Sequence, residues 1–431
     1  MQETSQHGVP LPPKRILILG GGFGGVRTAL DLAEYDLPNI KITLISDKHH
    51  FEYTPSLYKI ATGHSPAETC IPLGEIFSHM KKKKFEFVVD TIVGGSLSEK
   101  YVTGASGSRY SYDYVVLGLG AETAYFGISG IKENSYAIKS VSSALKLKNH
   151  LHYLFNNHHK LSKGDLMSQF QFVIVGGGPA GVELAGEIRR YGRKLAGVHG
   201  VPKKLVTVDI IQAAPRLLPT MPEEVSRRAL NRLNDLGVNI ILNRSVSSED
   251  MQGVYLKDIK FNAKTIVWTA GVRPSSIYEK ISGLTLEKGG RIVVDDKMRV
   301  PEFPNAFALG DSASTPNAGT AQTATHDGEF VAHAIARTIQ GHRVPKYTSH
   351  KSAYVVPIGQ EWAVFTINKF VFSGEIFWWL RRFIDLKFLF TILPIRKAFT
   401  AWRSGGILSE SCPTCLQAQD ESEEKPLFFR H

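Results

Sequence analysis

Residues 15–25 read RILILGGGFGG and run on into VRTALDLAEY. The apolar run from Arg15 to Leu19 predicts a short strand buried on both faces, as in a parallel sheet. Gly20, Gly22 and Gly25 then supply the spacing G-x-G-x-x-G ahead of a helical pattern. The first glycine permits a tight turn, the second lets backbone approach a pyrophosphate, and the third allows close packing of helix on strand. The helix N-terminus offers free N–H groups and partial positive charge to phosphate. A second strand from Lys41 to Ile45 ends at Ser46 and Asp47. An acid about 22 residues past the last motif glycine is where a ribose-binding carboxylate is expected. Phe23 and Gly24 within the loop, and Pro55 beyond the second strand, complete the candidate contacts here.

The arrangement recurs. Gln171 to Val175 predicts a strand, and GGGPAGVELAGEIRR follows from Gly176, with Gly176, Gly178 and Gly181 at the motif positions and Pro179 and Ala180 between them. The next strand is predicted over Lys204 to Ile211. It ends at Gln212, so the expected carboxylate is replaced by an amide. Two further strands end in small-residue turns: YDYVVLGL (Tyr112 to Leu119) at Gly120-Ala121, and TIVWTAG (Thr265 to Gly271) at Ala270-Gly271. Each can bring a turn to a cofactor at the end of its sheet. Two dinucleotide sites about 150 residues apart predict an α/β chain with two Rossmann-like domains; this layout resembles that of one fold family, in which an FAD domain is interrupted by an NAD(P)H domain. The boundaries expected are 14–165 and 289–345 for the two parts of the first, 166–288 for the second, and 346–431 for a C-terminal region and polar tail.

Composition bounds the rest. The 431 residues are 43% hydrophobic with a formal net charge of +11. That suits a globular chain with an anionic partner. Only Cys70, Cys412 and Cys415 are cysteines, which argues against a disulfide scaffold. The first residues, MQETSQHGVPLPPK, show no secretory signal, and no run of 18 apolar residues predicts a spanning helix.

LGLGAETAYFGISG, GGGPAGVELAGEI, VWTAGVRP, NAFALGDSA and AQTATHDG occur in that order. Together, from about Lys14 to Arg403, they resemble the type II NADH:quinone oxidoreductases, the non-proton-pumping NADH dehydrogenases of respiratory electron transport. The resemblance implies FAD, NADH as donor and a membrane quinone as acceptor. It places Gly310 and Asp311 of ALGDSA on the FAD ribityl or pyrophosphate, and Glu183 near the flavin–nicotinamide junction. It puts the quinone at AQTATHDG, where the family has a second glutamine four residues after Gln322 and this chain has His326. Residues i and i+4 share a helix face, so Gln322 and His326 are expected to donate to the two quinone oxygens together. With Gln212 neutral, and Arg216 four residues on to pair with a 2′-phosphate, NADPH is expected as a donor beside NADH.

From Gly374 the run EIFWWLRRFIDLKFLFTILPIRKAFTAWR interleaves large apolar residues with Arg381, Arg382, Lys387, Arg396, Lys397 and Arg403. Pro394 should split it into two helices lying on an anionic lipid surface. The expectation is a peripheral membrane protein facing the cytoplasm or seated on an organelle membrane, whose flavin binding survives deletion from Gly374 onward. A second copy of the chain is a candidate partner, and nucleic acid is not expected. A sulfide:quinone oxidoreductase would need cysteines at the flavin, and only Cys70 precedes the tail. A thiol–disulfide reductase would need a C-x4-C pair, which is absent. A binding protein of the apoptosis-inducing-factor kind is the alternative from another class. No metal site is expected; the pair Cys412 and Cys415 lacks a second ligand pair.

Overall fold

The computed structural model describes residues 12–66, 69–78, 80, 84–160, 162–349, 353–359 and 361–404. Lys81–Lys83, Cys412, Cys415 and the rest of the tail lie outside these residues.

Two parallel sheets organise the chain. In the first, β1 (Lys14–Leu19) lies between β2 (Ile40–Ser46) and β4 (Tyr114–Leu117), and β3 (Phe85–Val89) extends it beyond β2. The second is built on β5 (Gln171–Val175), flanked by β6 (Thr207–Ile211) and β8 (Thr265–Trp268), with β7 (Asn239–Ile241) beyond β6. After the second sheet the chain returns as β9 (Phe303–Ala308), which pairs in parallel with β4 through Ala306–Val115, Phe307–Val116 and Ala308–Leu117. This late strand makes the first domain discontinuous, as the motif order predicted. β6 begins at Thr207, because Lys203–Leu205 forms a turn of 3-10 helix and only the residues after it pair with β5.

Each core takes in segments from across the expected boundaries. Residues Tyr136–Ala137 pair with β8, and the helix Val141–Asn156 buries Val141, Leu147, Leu151 and Phe155 in the second core with Phe172 and Ile174. This helix, expected in the first domain, thus packs against the second sheet. Tyr278 and Ile281, expected in the second domain, pack in the core of the first. A short helix signal between two sheets does not say which sheet its apolar face will cover.

Six helices position the sites. α1 (Phe23–Glu34) follows β1 and α2 (Leu57–Ala61) follows β2, while α3 (Pro179–Val198) follows β5 and α4 (Ala321–Ile339) follows β9. The C-terminal region opens with three antiparallel strands, β10 (Tyr354–Pro357), β11 (Ala363–Ile367) and β12 (Phe370–Gly374). α5 (Glu375–Ile392) and α6 (Ile395–Ser404) follow. They are separated at Leu393, which is extended as a residue before proline must be. This region is not a separate layer: Val356 and Val364 join the second core, and Leu389, Ile392 and Ala398 join the first. Among the described residues no helix is long and apolar enough to cross a membrane.

Candidate active site

The two glycine loops have nearly the same backbone. Gly20 and Gly176 turn at φ +106° and +115°. A Cβ on Gly25 or Gly181 would lie 1.9 Å from the carbonyl oxygen of Gly20 or Gly176, so only glycine allows each helix to sit this close to its strand. Gly22 and Gly178 cap α1 and α3 in extended conformation, with no side chain accepting the first N–H groups. A Cβ at either would meet nothing within 4 Å. Uncapped donors facing open space at a helix N-terminus fit a pyrophosphate. The residues thus fit two dinucleotides.

Over the first loop lies a cavity of about 880 Å³. Gly20, Gly22, Phe23 and Gly24 line it from one side, and Ser46 with Asp47 from the end of β2. Gly120-Ala121 and Gly310-Asp311 close it from the ends of β4 and β9. Ser46 is buried, and its hydroxyl accepts the Lys48 N–H at 3.2 Å, whereas Asp47 is exposed. Asp311 lies in the 3-10 turn Gly310–Ser312. Pro55 departs from expectation: neighbouring Thr54 lines the cavity, and the Pro55 carbonyl accepts a hydrogen bond from Arg381 at 3.1 Å. Lys48, Lys139 and Thr320 also line the cavity, unflagged by any spacing rule.

At the second loop, Pro179 and Ala180 are exposed at the start of α3, and Ala270 and Gly271 form the adjacent turn; a Cβ on Gly176 would come within 2.7 Å of Ala270. Gln212 is buried, and its Oε1 accepts the Gly177 N–H at 3.0 Å. Arg216 is engaged within its own turn. Its guanidinium donates to the carbonyls of Leu218 and Pro219 and to the Ser226 hydroxyl at 2.6–3.2 Å. Those bonds shape the turn into the next helix.

Glu183 is in the second turn of α3, too deep to serve the helix dipole as a first-turn acid would. It is buried, and burial pushes its carboxyl up to about 8. Asp385 pushes in the same direction; Arg381 and Lys59 oppose it. Arg381 and Asp385 of α5 form an ionic cluster with Lys59 of α2. Asp385 Oδ1 accepts the Tyr53 hydroxyl at 2.7 Å and Arg381 Nε at 2.9 Å, and Lys59 Nζ lies 3.8 Å from Oδ2. Arg381 also donates to the Val355 carbonyl at 3.2 Å. The spacing of Arg381 and Asp385 by four residues was visible in the sequence; their inward orientation was not.

Gln322 and His326 share a face of α4, as expected, but each already has a backbone partner. Gln322 Nε2 donates to Ala353 O at 3.4 Å, and His326 Nε2 to Thr348 O at 2.9 Å. The segment that leads from α4 to β10 therefore holds both side chains. Among the described residues no group of three or more His, Cys, Asp or Glu could hold a metal ion.

The sequence profile of the pyridine nucleotide-disulphide oxidoreductases matches residues 14–328. The chain is 30% identical over 400 residues to the type II NADH:quinone oxidoreductase Ndh of Mycobacterium tuberculosis, covering 88% of this chain and 85% of that protein. It is 29% identical to the type II NADH:quinone oxidoreductase of Staphylococcus haemolyticus, covering 90% and 98%. Among solved structures, NDH2 from Plasmodium falciparum in complex with NADH superposes with a TM-score of 0.80 at 19% identity, covering 92% of this chain and 98% of that one. The sulfide:quinone oxidoreductase of Aquifex aeolicus gives 0.73 at 21%, covering 88% and 91%. Both share the fold. The paired glycine loops, the discontinuous first domain and these matches agree: the chain belongs to the pyridine nucleotide-disulphide oxidoreductase family and, within it, to the type II NADH:quinone oxidoreductases.

Proposed function

We propose that this chain is a peripheral membrane flavoenzyme that oxidises NADH and reduces a quinone, with FAD in the first cradle and the nicotinamide dinucleotide on the second. The observation that carries this reading is the duplicated uncapped helix N-terminus at Gly22 and Gly178, within a chain whose curated relatives are NADH:quinone oxidoreductases. Bound FAD would supply the redox chemistry itself, taking a hydride and giving up two electrons. The chain's residues position and tune. The N-termini of α1 and α3 hold pyrophosphates, and exposed Asp47, rather than buried Ser46, bonds the FAD ribose. Gly310 and Asp311 face the ribityl chain. Quinone takes up two electrons and two protons, while NADH brings one hydride, so one further proton is needed. Glu183, neutral below about 8, can hold it.

For the membrane, α5 separates its faces cleanly. Ile376, Trp379, Phe383 and Phe390 form an exposed stripe, 73%, 52%, 57% and 43% accessible, and Ile395 of α6 continues it at 74%. This supports helices lying in the headgroup plane. The cationic contribution is smaller than the sequence suggested. Arg381 is inside the ionic cluster, Arg382 lies over the Trp402 ring, and Lys397 pairs with Glu75. Lys387, Arg396 and Arg403 remain exposed, each contributing about 1 kcal/mol near anionic lipid.

The test is a separation of half-reactions. In Gln322→Ala with His326→Ala, flavin reduction by NADH should stay within about twofold of wild type while reoxidation by quinone slows at least tenfold, on the order of 1.4 kcal/mol. Equal losses in both would remove the quinone from this face of α4.

A further inference from the structure

One buried charge in the first domain has no part in that chemistry. Asp327, in the second turn of α4, is fully buried. Its Oδ2 accepts the Gly310 N–H at 2.9 Å, and its Oδ1 accepts the Tyr347 hydroxyl at 2.6 Å. Gly310 adopts φ +61° and lines the cavity together with Asp311 and Ala324. Ala324 stands three residues before Asp327 on the same helix face. Asp327 therefore lies one layer behind the cavity wall. The wall is rigid there: a Cβ on Gly328 would lie 2.5 Å from Gly24 O, and Thr28 Oγ1 donates to both Gly24 O and Gly328 O.

We propose that Asp327 is a positioning residue that holds a negative charge behind the Gly310 turn and thereby lowers the reduction potential of flavin bound in the first cavity. A fixed charge in a water-poor wall acts through a lower effective dielectric than one in solvent. Adding electrons to a flavin beside it is disfavoured, and delivery of those electrons to the acceptor is favoured. Two donors on the two oxygens stabilise the charged form against burial, which pushes the carboxyl up. The groups around it are few. Asp311 on the Gly310 turn raises it further, His326 on its own helix lowers it, and Tyr347 faces it from the following segment. α1, packed against α4, contributes Arg27, which is paired with Asp31 and Glu329. The same carboxylate also ties the flavin-facing turn to the segment that holds His326 and Gln322, since Tyr347 adjoins Thr348.

The inference rests on flavin occupying the first cavity. A variant Asp327→Asn tests it, because the amide keeps an oxygen for the Gly310 N–H and can donate to the Tyr347 oxygen while losing the charge. The midpoint potential of the bound flavin, measured spectroelectrochemically at pH 8, should rise by about 30 mV or more. That corresponds to a tenfold change in the reduced-to-oxidised ratio for a two-electron couple. Reoxidation by quinone should slow in parallel. A normal flavin spectrum with an unmoved potential would overturn the inference alone; a colourless wild-type protein would overturn the flavin reading as well. Should Asp327→Asn not retain flavin, Tyr347→Phe gives the same answer. Losing one donor makes the carboxylate harder to ionise, so the bend in potential against pH should move to higher pH. Curves that superimpose on wild type would rule the role out.

Discussion

The ring of Phe388, on the C-terminal helix α5, packs 5.0 Å from the ring of Phe23, the one side chain in the first glycine loop. Phe51 and Tyr53 complete the cluster, 5.6 and 5.2 Å from Phe388. The helix that carries the exposed apolar stripe on one side thus packs against the first glycine loop on the other. Stripes at Arg381, Asp385, Phe388 and Ile392 point inward, and Ile376, Trp379, Phe383 and Phe390 outward.

Deletion from Gly374 onward should consequently cost flavin as well as membrane binding, contrary to what composition suggests. The sharper variant is Phe388→Ala. Truncating a ring packed against three aromatic neighbours should destabilise the chain by about 2–4 kcal/mol. Thermal unfolding and flavin retention on gel filtration would show it; a truncated chain with a full flavin spectrum would refute the coupling.

Membrane docking can instead be removed from the outer stripe. Replacing Ile376, Trp379 and Phe383 by serine should release the protein from anionic vesicles, with the flavin spectrum and the melting temperature nearly unchanged. Each buried large apolar side chain is worth about 1.5–3 kcal/mol. Co-sedimentation measures the change, and a triple variant that still pellets with vesicles would place the anchor elsewhere.

Glu183 predicts a pH limb. Its carboxyl is neutral in the folded protein up to about 8 and charged above, whereas an unfolded glutamate ionises near 4.5. Its folded form binds the proton more tightly, so its contribution to stability falls as pH rises from about 4.5 to about 8 and is constant beyond. Quinone reduction should decline through pH 8, and Glu183→Gln should flatten both slopes while lowering the turnover plateau. Stopped-flow reoxidation and denaturant titration across pH 5–10 provide the check.

Gln212 and Arg216 separate two explanations of donor choice. Gln212→Glu keeps an oxygen for the Gly177 N–H and adds charge that repels a 2′-phosphate. The ratio of kcat/KM for NADH over NADPH should rise about tenfold, on the order of 1.4 kcal/mol. Arg216→Ala should leave that ratio unmoved and lower stability instead, because its guanidinium is bonded to Leu218, Pro219 and Ser226. A fall in NADPH use in Arg216→Ala would restore it as a phosphate ligand.

The two dinucleotide cradles, their order and the discontinuity of the first domain were legible in the order of residues alone. Strand, glycine turn and helix are consecutive in the chain, so their geometry follows from local backbone sterics at Gly20, Gly25, Gly176 and Gly181. That Pro394 ends a helix was equally legible. Where side chains from distant segments meet depends on how the elements pack. Arg381 read as a lipid-facing cation on a basic helix, yet it is half-buried against buried Asp385, which meets Tyr53 and Lys59, more than 300 residues away in the chain. Arg216 read as a free cation and is instead bonded within its own turn. Asp327 gave no signal beyond its place in AQTATHDG, and the fold set it under Gly310. Hydrophobic period says that a helix has a buried face, but which polar groups that face brings into contact depends on packing, since burying a charge is tolerated only where a partner from elsewhere satisfies it.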